Sequence, residues 1–421
     1  MTTAFHAPER KVCAGAIGHP GGDCLVRQYV PTRQSVDVLD AHRYRRIPVS
    51  TPKLDAFLAQ PHETPFLVVD LDVVAERYRR LEAALAGVHI FYAVKTNPTT
   101  PVLRTLVALG SAFDVASPAE IAACLDAGAT PRDLSFGNTI KKARDVSAAH
   151  RLDINRYTVD ASEELQKVLT HAPGADVCVR LFHDGAEADW PLSRKFGCDH
   201  HDALQLMTTA ADAGHRTGVS FHVGSQQRSP QAWDDALAAV NRLMRDGRPR
   251  GVTLDFLNLG GGFPSHYVDD VAPVEAYGAA ITRALRQLDE PVSELMVEPG
   301  RYLVGDAGVL RTEVVLVSRR SIDERRWVYL DCGRFSGLAE TMDEAIRYRL
   351  RTTYGDGPAG PVVLAGPTCD SADVLYDKAS YLLPLALRDG DLIDVLSAGA
   401  YTTAYAAPGF NGLPAPAEHY I

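Results

Sequence analysis

Short apolar runs alternate with amphipathic stretches along the middle of this chain. The runs occupy residues 89–95, 113–117, 134–138, 156–160, 176–182, 218–224, 256–262 and 294–300, and all but 176–182 close on a polar residue or glycine. Apolar runs of this length read as strands buried on both faces. The stretches between them, among them 100–109, 119–127, 162–169, 202–213 and 231–244, repeat their apolar positions at helical spacing. Strand and helix in strict alternation predict a parallel sheet, and eight such units match a (β/α)8 barrel, an α/β architecture of about 250 residues. A further run, 66–71, leads into a helix over 73–85 that would enter the barrel.

Outside the barrel the pattern changes. Residues 305–421 carry alternating runs at 314–317, 327–330, 362–365 and 392–395 with turns between them, which predicts a β-rich second domain. Residues 1–60 are rich in proline, glycine and arginine without long periodicity, and form an extension that would contribute in part to the β-domain. The expected division is therefore 1–60, 61–304 and 305–421. No internal repeat is evident, and the one low-complexity tract is the Pro/Ala-rich 414–417.

Composition narrows the function classes. A chain of 421 residues with 46% hydrophobic content can bury a large core, and a net charge of −10 speaks against a nucleic-acid surface. Cysteines 13, 24, 124, 178, 198, 332 and 369 form no Cys-x-x-Cys pair and are odd in number, which favours free thiols in a reducing compartment. No metal is expected. No apolar run is long enough to cross a bilayer, and residues 1–11 lack the hydrophobic stretch of a signal peptide, so a cytoplasmic protein without membrane contact is expected.

In a β/α barrel the chemistry sits at the carboxyl ends of the strands. Read in order, those ends carry Lys95, Asp114 with Ser117, Asn138, Asp160, Arg180, His222 with Ser225, Gly260-Gly261-Gly262, and Glu298 with Arg301. A lysine leaving a desolvating apolar strand can lose its proton and attack a carbonyl. Three consecutive glycines let backbone N–H groups approach an anion, and Arg301 adds a guanidinium to the same phosphate. Lysine plus phosphate cradle points to pyridoxal phosphate. Glu298 could then hold the pyridine nitrogen protonated, and His222 could lie flat against the ring.

At this point the residues carry a resemblance. Tyr92-Ala93-Val94-Lys95-Thr96-Asn97, Phe113-Asp114-Val115-Ala116-Ser117, His222-Val223-Gly224-Ser225, residues 260–264, Glu298-Pro299-Gly300-Arg301, residues 366–371 with Asp373, and Phe410-Asn411-Gly412 stand in one order. Together they resemble the fold-type III pyridoxal phosphate decarboxylases, most of all the ornithine decarboxylases, over about residues 60–413. The resemblance implies an alanine-racemase-like barrel with a C-terminal β-domain, assembled as a head-to-tail homodimer with shared sites. It implies that Lys95 carries the covalent link to the cofactor, with Asp114 beside it, His222 on the ring and Glu298 at the pyridine nitrogen. Ser225, Gly261, Gly262, Arg301 and Tyr401 would hold the phosphate, and Arg180 would sit near the ring. Cys369 and Asp370 would enter from the other subunit, Cys369 as the proton donor that completes the reaction. Lys195 would pair with Asp373 across the dimer.

Substrate choice rests on fewer residues. Asp370 and Phe410-Asn411-Gly412 follow the ornithine-type form, and both favour a basic amino acid. The stretch 337–348 offers Glu340, Asp343 and Glu344, of which Glu344 aligns best with the family's substrate-facing acid. Phe335 stands where eukaryotic members tend to have tyrosine, and both Phe335 and Phe410 are expected to line the substrate. The expected activity is decarboxylation of L-ornithine to putrescine in polyamine biosynthesis, with L-lysine to cadaverine as a second reaction. The alternatives are decarboxylation of arginine, diaminopimelate or a modified intermediate, and an inactive decarboxylase-like regulator. The regulator is disfavoured because Lys95, Glu298, Cys369 and Asp370 are all present.

Overall fold

The computed structural model of the protein describes residues 38–40 and 50–421, apart from 193–194 and 355–356. Most of the extension, including its arginines and Cys13 and Cys24, lies outside the described residues. Eight parallel strands close a barrel: His89–Ala93, Ala112–Val115, Leu134–Phe136, Arg156–Val159, Asp176–Arg180, Thr217–Ser220, Phe256–Asn258 and Glu294–Val297. Each pairs with the next in chain order, and Glu294–Val297 returns to His89–Ala93.

The apolar runs continue past the strands they predict. Every strand ends one to four residues before its run does, because the chain leaves the hydrogen-bonded ladder to form the loops of the mouth. The shortest strands still bury every residue: Leu134–Phe136 and Phe256–Asn258 are buried throughout. The periodic segments form helices as expected, with Ala143–Arg151 and Val274–Leu285 completing the outer ring. Pro118–Ala127 shows how local sequence fixes an end. The Ser117 side chain accepts from Glu120 N–H, Glu120 reaches back to the Ala116 N–H, and Gly128 closes the helix at φ 105°.

The bottom of the barrel is filled. Phe91, Cys178, Phe256 and Met296 pack inside it, and Gly218 leaves room for the Phe256 ring, which a Cβ would meet at 2.1 Å. Arg156 closes this end, stacked 4.6 Å above Phe256 and bonded to Asp176 and Glu294. Each fully buried aromatic or aliphatic side chain here contributes roughly 1.5–3 kcal/mol from burial. With the lower end plugged, only the carboxyl ends of the strands remain open for chemistry.

The second domain is built on a nine-stranded sheet. Its spine is the long strand Gly308–Arg320, which pairs with Asp323–Leu330 through its outer half and with Leu392–Leu396 through its inner half. Ala359–Ala365 and Val374–Pro384 extend the outer side, and Val38–Asp40 adds a parallel edge on Val374–Pro384. Phe66–Val69 also belongs to this sheet, pairing with Gly308–Arg320 and with the C-terminal Ala417–Tyr420. The helix Leu71–Ala84 that follows it crosses to the barrel. Its N-cap is Asp70, whose carboxylate accepts from Asp72 N–H. No helix among the described residues is long and apolar enough to cross a membrane.

Candidate active site

Lys95 sits one turn beyond its strand, in the 3₁₀ turn Val94–Thr96, rather than in the strand itself. Two interactions with the second domain hold that turn. The Tyr401 N–H donates to Thr96 O at 2.9 Å, and Asn97 Nδ2 donates to Gly399 O at 3.2 Å. Gly399 is required here, since a Cβ would lie 1.9 Å from Val304 O. Tyr401 takes the left-handed φ of 57° to make its contact.

The Lys95 amine lies 3.1 Å from Asp114 Oδ2, at the floor of an open mouth. Asp114 comes from the second strand and is buried, and its Oδ1 has no partner. Gly137 allows this placement, because a Cβ there would overlap Oδ1 at 1.9 Å. Desolvation is the largest single influence on Lys95 and lowers its pKa, but Asp114, Tyr401 and Glu298 together outweigh it and the net shift is upward. The free lysine is therefore an ammonium held by carboxylates. This corrects the expectation that desolvation by the strand leaves it neutral: two acids converge on the same amine.

Glu298 follows the eighth strand and accepts a hydrogen bond from Asn258 Nδ2. Burial pushes its pKa up and the Asp114 charge adds to this, while Lys95, Asn258 and Arg180 pull it back, leaving it at about 7. Burial, with Arg180, Lys95 and His183, keeps His222 well below the usual histidine range, so the ring is neutral. Its Nδ1 accepts from the Gly224 N–H at 3.0 Å, which assigns the proton to Nε2. A Cβ on Gly261 would lie 2.5 Å from Glu298 O and 3.0 Å from His222 Nε2. Glycine at this position thus lets the carboxylate strand and the imidazole close on one space. At Gly260 and Gly262, with φ of 68° and 110°, a Cβ would lie 2.0 Å from Phe221 O and 2.6 Å from Gly224 O.

Arg301 opens the short helix Arg301–Val304 and is buried. It bonds Ser225 and Tyr267, forks onto Glu340, and lies 4.9 Å from the Tyr401 ring centre. Arg180 ends its strand with the guanidinium 5.5 Å from the Phe196 ring. Lys95, Asp114, Arg180, His222, Ser225, Gly261, Gly262, Glu298, Arg301 and Tyr401 therefore all lie on the carboxyl ends of the strands or on the loop clasping them. The residues fit pyridoxal phosphate: an amine between carboxylates, an orphaned acceptor on Asp114, a carboxyl whose pKa burial raises, and a glycine cradle ending at Ser225 and Arg301.

The remaining candidates lie on the second domain. Cys369 and Asp370 are exposed, and Asn411 Oδ1 accepts from the Cys369 N–H at 3.0 Å. The Phe335 and Phe410 rings pack at 4.7 Å beside them. The resemblance sends Asp373 to another chain's lysine, whereas in this structure its carboxylate is buried and accepts from the N–H groups of Arg334 and Thr368 and from the Thr368 hydroxyl. Lys195 lies on the Phe196 ring at 4.9 Å. The stretch with the candidate acids is a kinked 3₁₀ segment, Ala339–Glu344. Glu344 accepts from three consecutive N–H groups, those of Asp377, Lys378 and Ala379, and Asp343 is exposed. Glu340 is the acid that reaches the mouth, at Arg301.

Sequence reading did not find Asn258, Tyr267 or Gly137, and it offered Glu340 only as one of three candidate substrate-facing acids, not as the partner of Arg301. Asn258 could have been found, since it ends a strand. Glu340 and Tyr267 carry no local signal, because their role depends on a contact between domains.

Comparison with known proteins agrees with this geometry. Residues 71–305 match the family model described as the pyridoxal-binding domain of pyridoxal-dependent decarboxylases. The chain is similar to a lysine/ornithine decarboxylase of Selenomonas ruminantium, 37% identical over 84% of this chain and 89% of that protein. It is also similar to an ornithine decarboxylase of Schizosaccharomyces pombe, 34% identical over 82% of this chain and 81% of the other. The crystal structure of a Vibrio vulnificus lysine/ornithine decarboxylase complexed with cadaverine superposes with a TM-score of 0.79 at 33% identity, covering 88% of this chain and 99% of that one.

Proposed function

We propose, taking as premise that the chain belongs to the pyridoxal-dependent decarboxylase family, that its substrate is L-ornithine, with L-lysine as the second choice. The products would be carbon dioxide with putrescine or cadaverine, which places the reaction in polyamine synthesis. The observation that carries the reading is the convergence of Lys95, Asp114 and Glu298 above the glycine cradle.

When bound, pyridoxal phosphate supplies an aldehyde for covalent capture of an amine and a ring that accepts the electron pair left by a departing carboxylate. The side chains of this chain do the rest. Lys95 would hold the cofactor, with its amine oriented at Nζ by the Asp114 carboxylate. Glu298 holds a negative charge where the ring nitrogen needs one, and a cation placed against it would draw its pKa down from about 7. Neutral His222 would face a flat ring without repelling that cation.

Cys369, Asp370 and Phe410 are exposed, as residues would be that complete a neighbour's site. On this reading the protein works as a homodimer in which Cys369 of the partner subunit returns a proton to the α-carbon, while Asp370 of the partner subunit meets the substrate's distal ammonium. Mixing Lys95→Ala with Cys369→Ala chains would then restore about a quarter of the sites, the statistical share in a two-fold dimer. No gain after demonstrated subunit exchange contradicts shared sites. The unpaired described cysteines support a reducing compartment, the cytoplasm.

Carbon dioxide release from ornithine, lysine, arginine and diaminopimelate tests the substrate. Ornithine and lysine are expected to exceed the other two by at least about tenfold in kcat/KM, the scale on which pocket contacts discriminate. Preference for arginine or diaminopimelate overturns the assignment.

A further inference from the structure

A guanidinium has five N–H groups, and in Arg301 protein atoms meet all of them. Nη1 donates to Tyr267 Oη at 2.8 Å and to Glu340 Oε2 at 2.6 Å. Nη2 donates to Glu340 Oε1 at 2.5 Å and to Ser225 Oγ at 3.1 Å, and Nε donates to the same Ser225 oxygen at 3.3 Å. The two edges of the group are therefore unequal. The fork onto Glu340 is short, two-toothed and charge-assisted, the strong form of such a contact. The Nε/Nη2 edge shares one hydroxyl oxygen through two long bonds, and this is the edge that faces the cradle.

Burial sharpens the contrast. Arg301 is 3% exposed and Glu340 5% exposed, so the pair is formed away from water, where a fork of this kind is held closely. Glu340 belongs to the second domain, on the segment Ala339–Glu344, whereas Arg301, Ser225 and Tyr267 follow barrel strands.

The geometry points to Glu340 as a positioning residue that limits how tightly the phosphate subsite binds. It occupies the fork of Arg301 and cancels the guanidinium charge, leaving a phosphate only the edge shared with Ser225. The inference rests on the reading that the cofactor's phosphate occupies this cradle. Its consequence is selectivity. A buried arginine with an open fork would retain any phosphate, whereas a paired one leaves the choice to the glycine cradle and to the covalent link at Lys95. The hold on the cofactor is then also tied to the packing of the second domain.

The test uses the cofactor-free full chain and compares binding of pyridoxal phosphate, pyridoxal and inorganic phosphate by fluorescence titration. Glu340→Gln removes a negative charge and frees fork donors, and both effects act in one direction. Pyridoxal phosphate and inorganic phosphate are expected to bind about tenfold more tightly, the scale of one unit charge across a few ångströms of protein, with pyridoxal unchanged. Glu340→Asp keeps the charge and is expected to stay near wild type. A ratio of pyridoxal phosphate to pyridoxal affinity that is unchanged or lower in Glu340→Gln overturns the inference. If that variant does not fold, Glu340→Ala removes the same charge and the same fork, and the same ratio must rise; no rise is contradictory. A wild-type chain that binds the phosphorylated and unphosphorylated forms equally would instead refute the phosphate reading itself, and the inference with it.

Discussion

Lys95→Ala is expected to lower decarboxylation by at least about 10⁴-fold, the scale seen when a covalent catalytic group is removed. The fold should survive, because the Lys95 side chain is 48% exposed and its hydrogen bond is to Asp114. Among the described residues, no second lysine pairs with Asp114. Lys141, the next lysine along the rim, is buried and spent on Asn138 O, Thr158 O and Glu164. The substitution also leaves Asp114 and Glu298 without their shared cation, so the cofactor-free variant should titrate a carboxyl at higher pH than wild type. Activity within tenfold of wild type would remove Lys95 from the chemistry.

Glu298→Gln should reduce kcat by about 10² to 10⁴, as expected when a group that stabilises developing charge is neutralised. The Gln Oε1 can still accept from Asn258 Nδ2, which puts the amide NH2 in the place of the other carboxylate oxygen. A stability signature accompanies the kinetic one. The Glu298 pKa is raised to about 7 in the folded chain, so the folded state holds a proton that the unfolded chain releases near the ordinary glutamate value. Its contribution to stability is fully present below the unfolded pKa and is lost as pH rises through 7. Cofactor-free wild type should therefore lose Tm between pH 5 and 8 by more than Glu298→Gln does. Equal slopes, with kcat unchanged, would contradict the assignment.

The barrel was legible because buried parallel strands leave continuous apolar runs, and the rim because the fold puts polar chemistry at strand ends. Lys95, Asp114, His222 and Glu298 could all be named on that ground. What local periodicity cannot record is which sheet accepts a strand. Phe66–Val69 reads like a barrel run, yet its partners Gly308–Arg320 and Ala417–Tyr420 are distant in sequence. Acids on one short segment posed the same problem. Glu340 and Glu344 are four residues apart, but a kink at Met342 and Asp343 sends one to Arg301 and the other to the backbone at 377–379. The charge state of Lys95 was equally hidden, since it depends on carboxylates brought in by two other strands.

Borohydride reduction of the yellow, cofactor-loaded protein, followed by proteolysis and mass mapping, tests the central claim most directly. The account predicts a single reduced pyridoxyl group on the peptide that contains Lys95, and none in Lys95→Ala. The same group on another lysine, or an unmodified Lys95 in protein that retains its colour and activity, would contradict it.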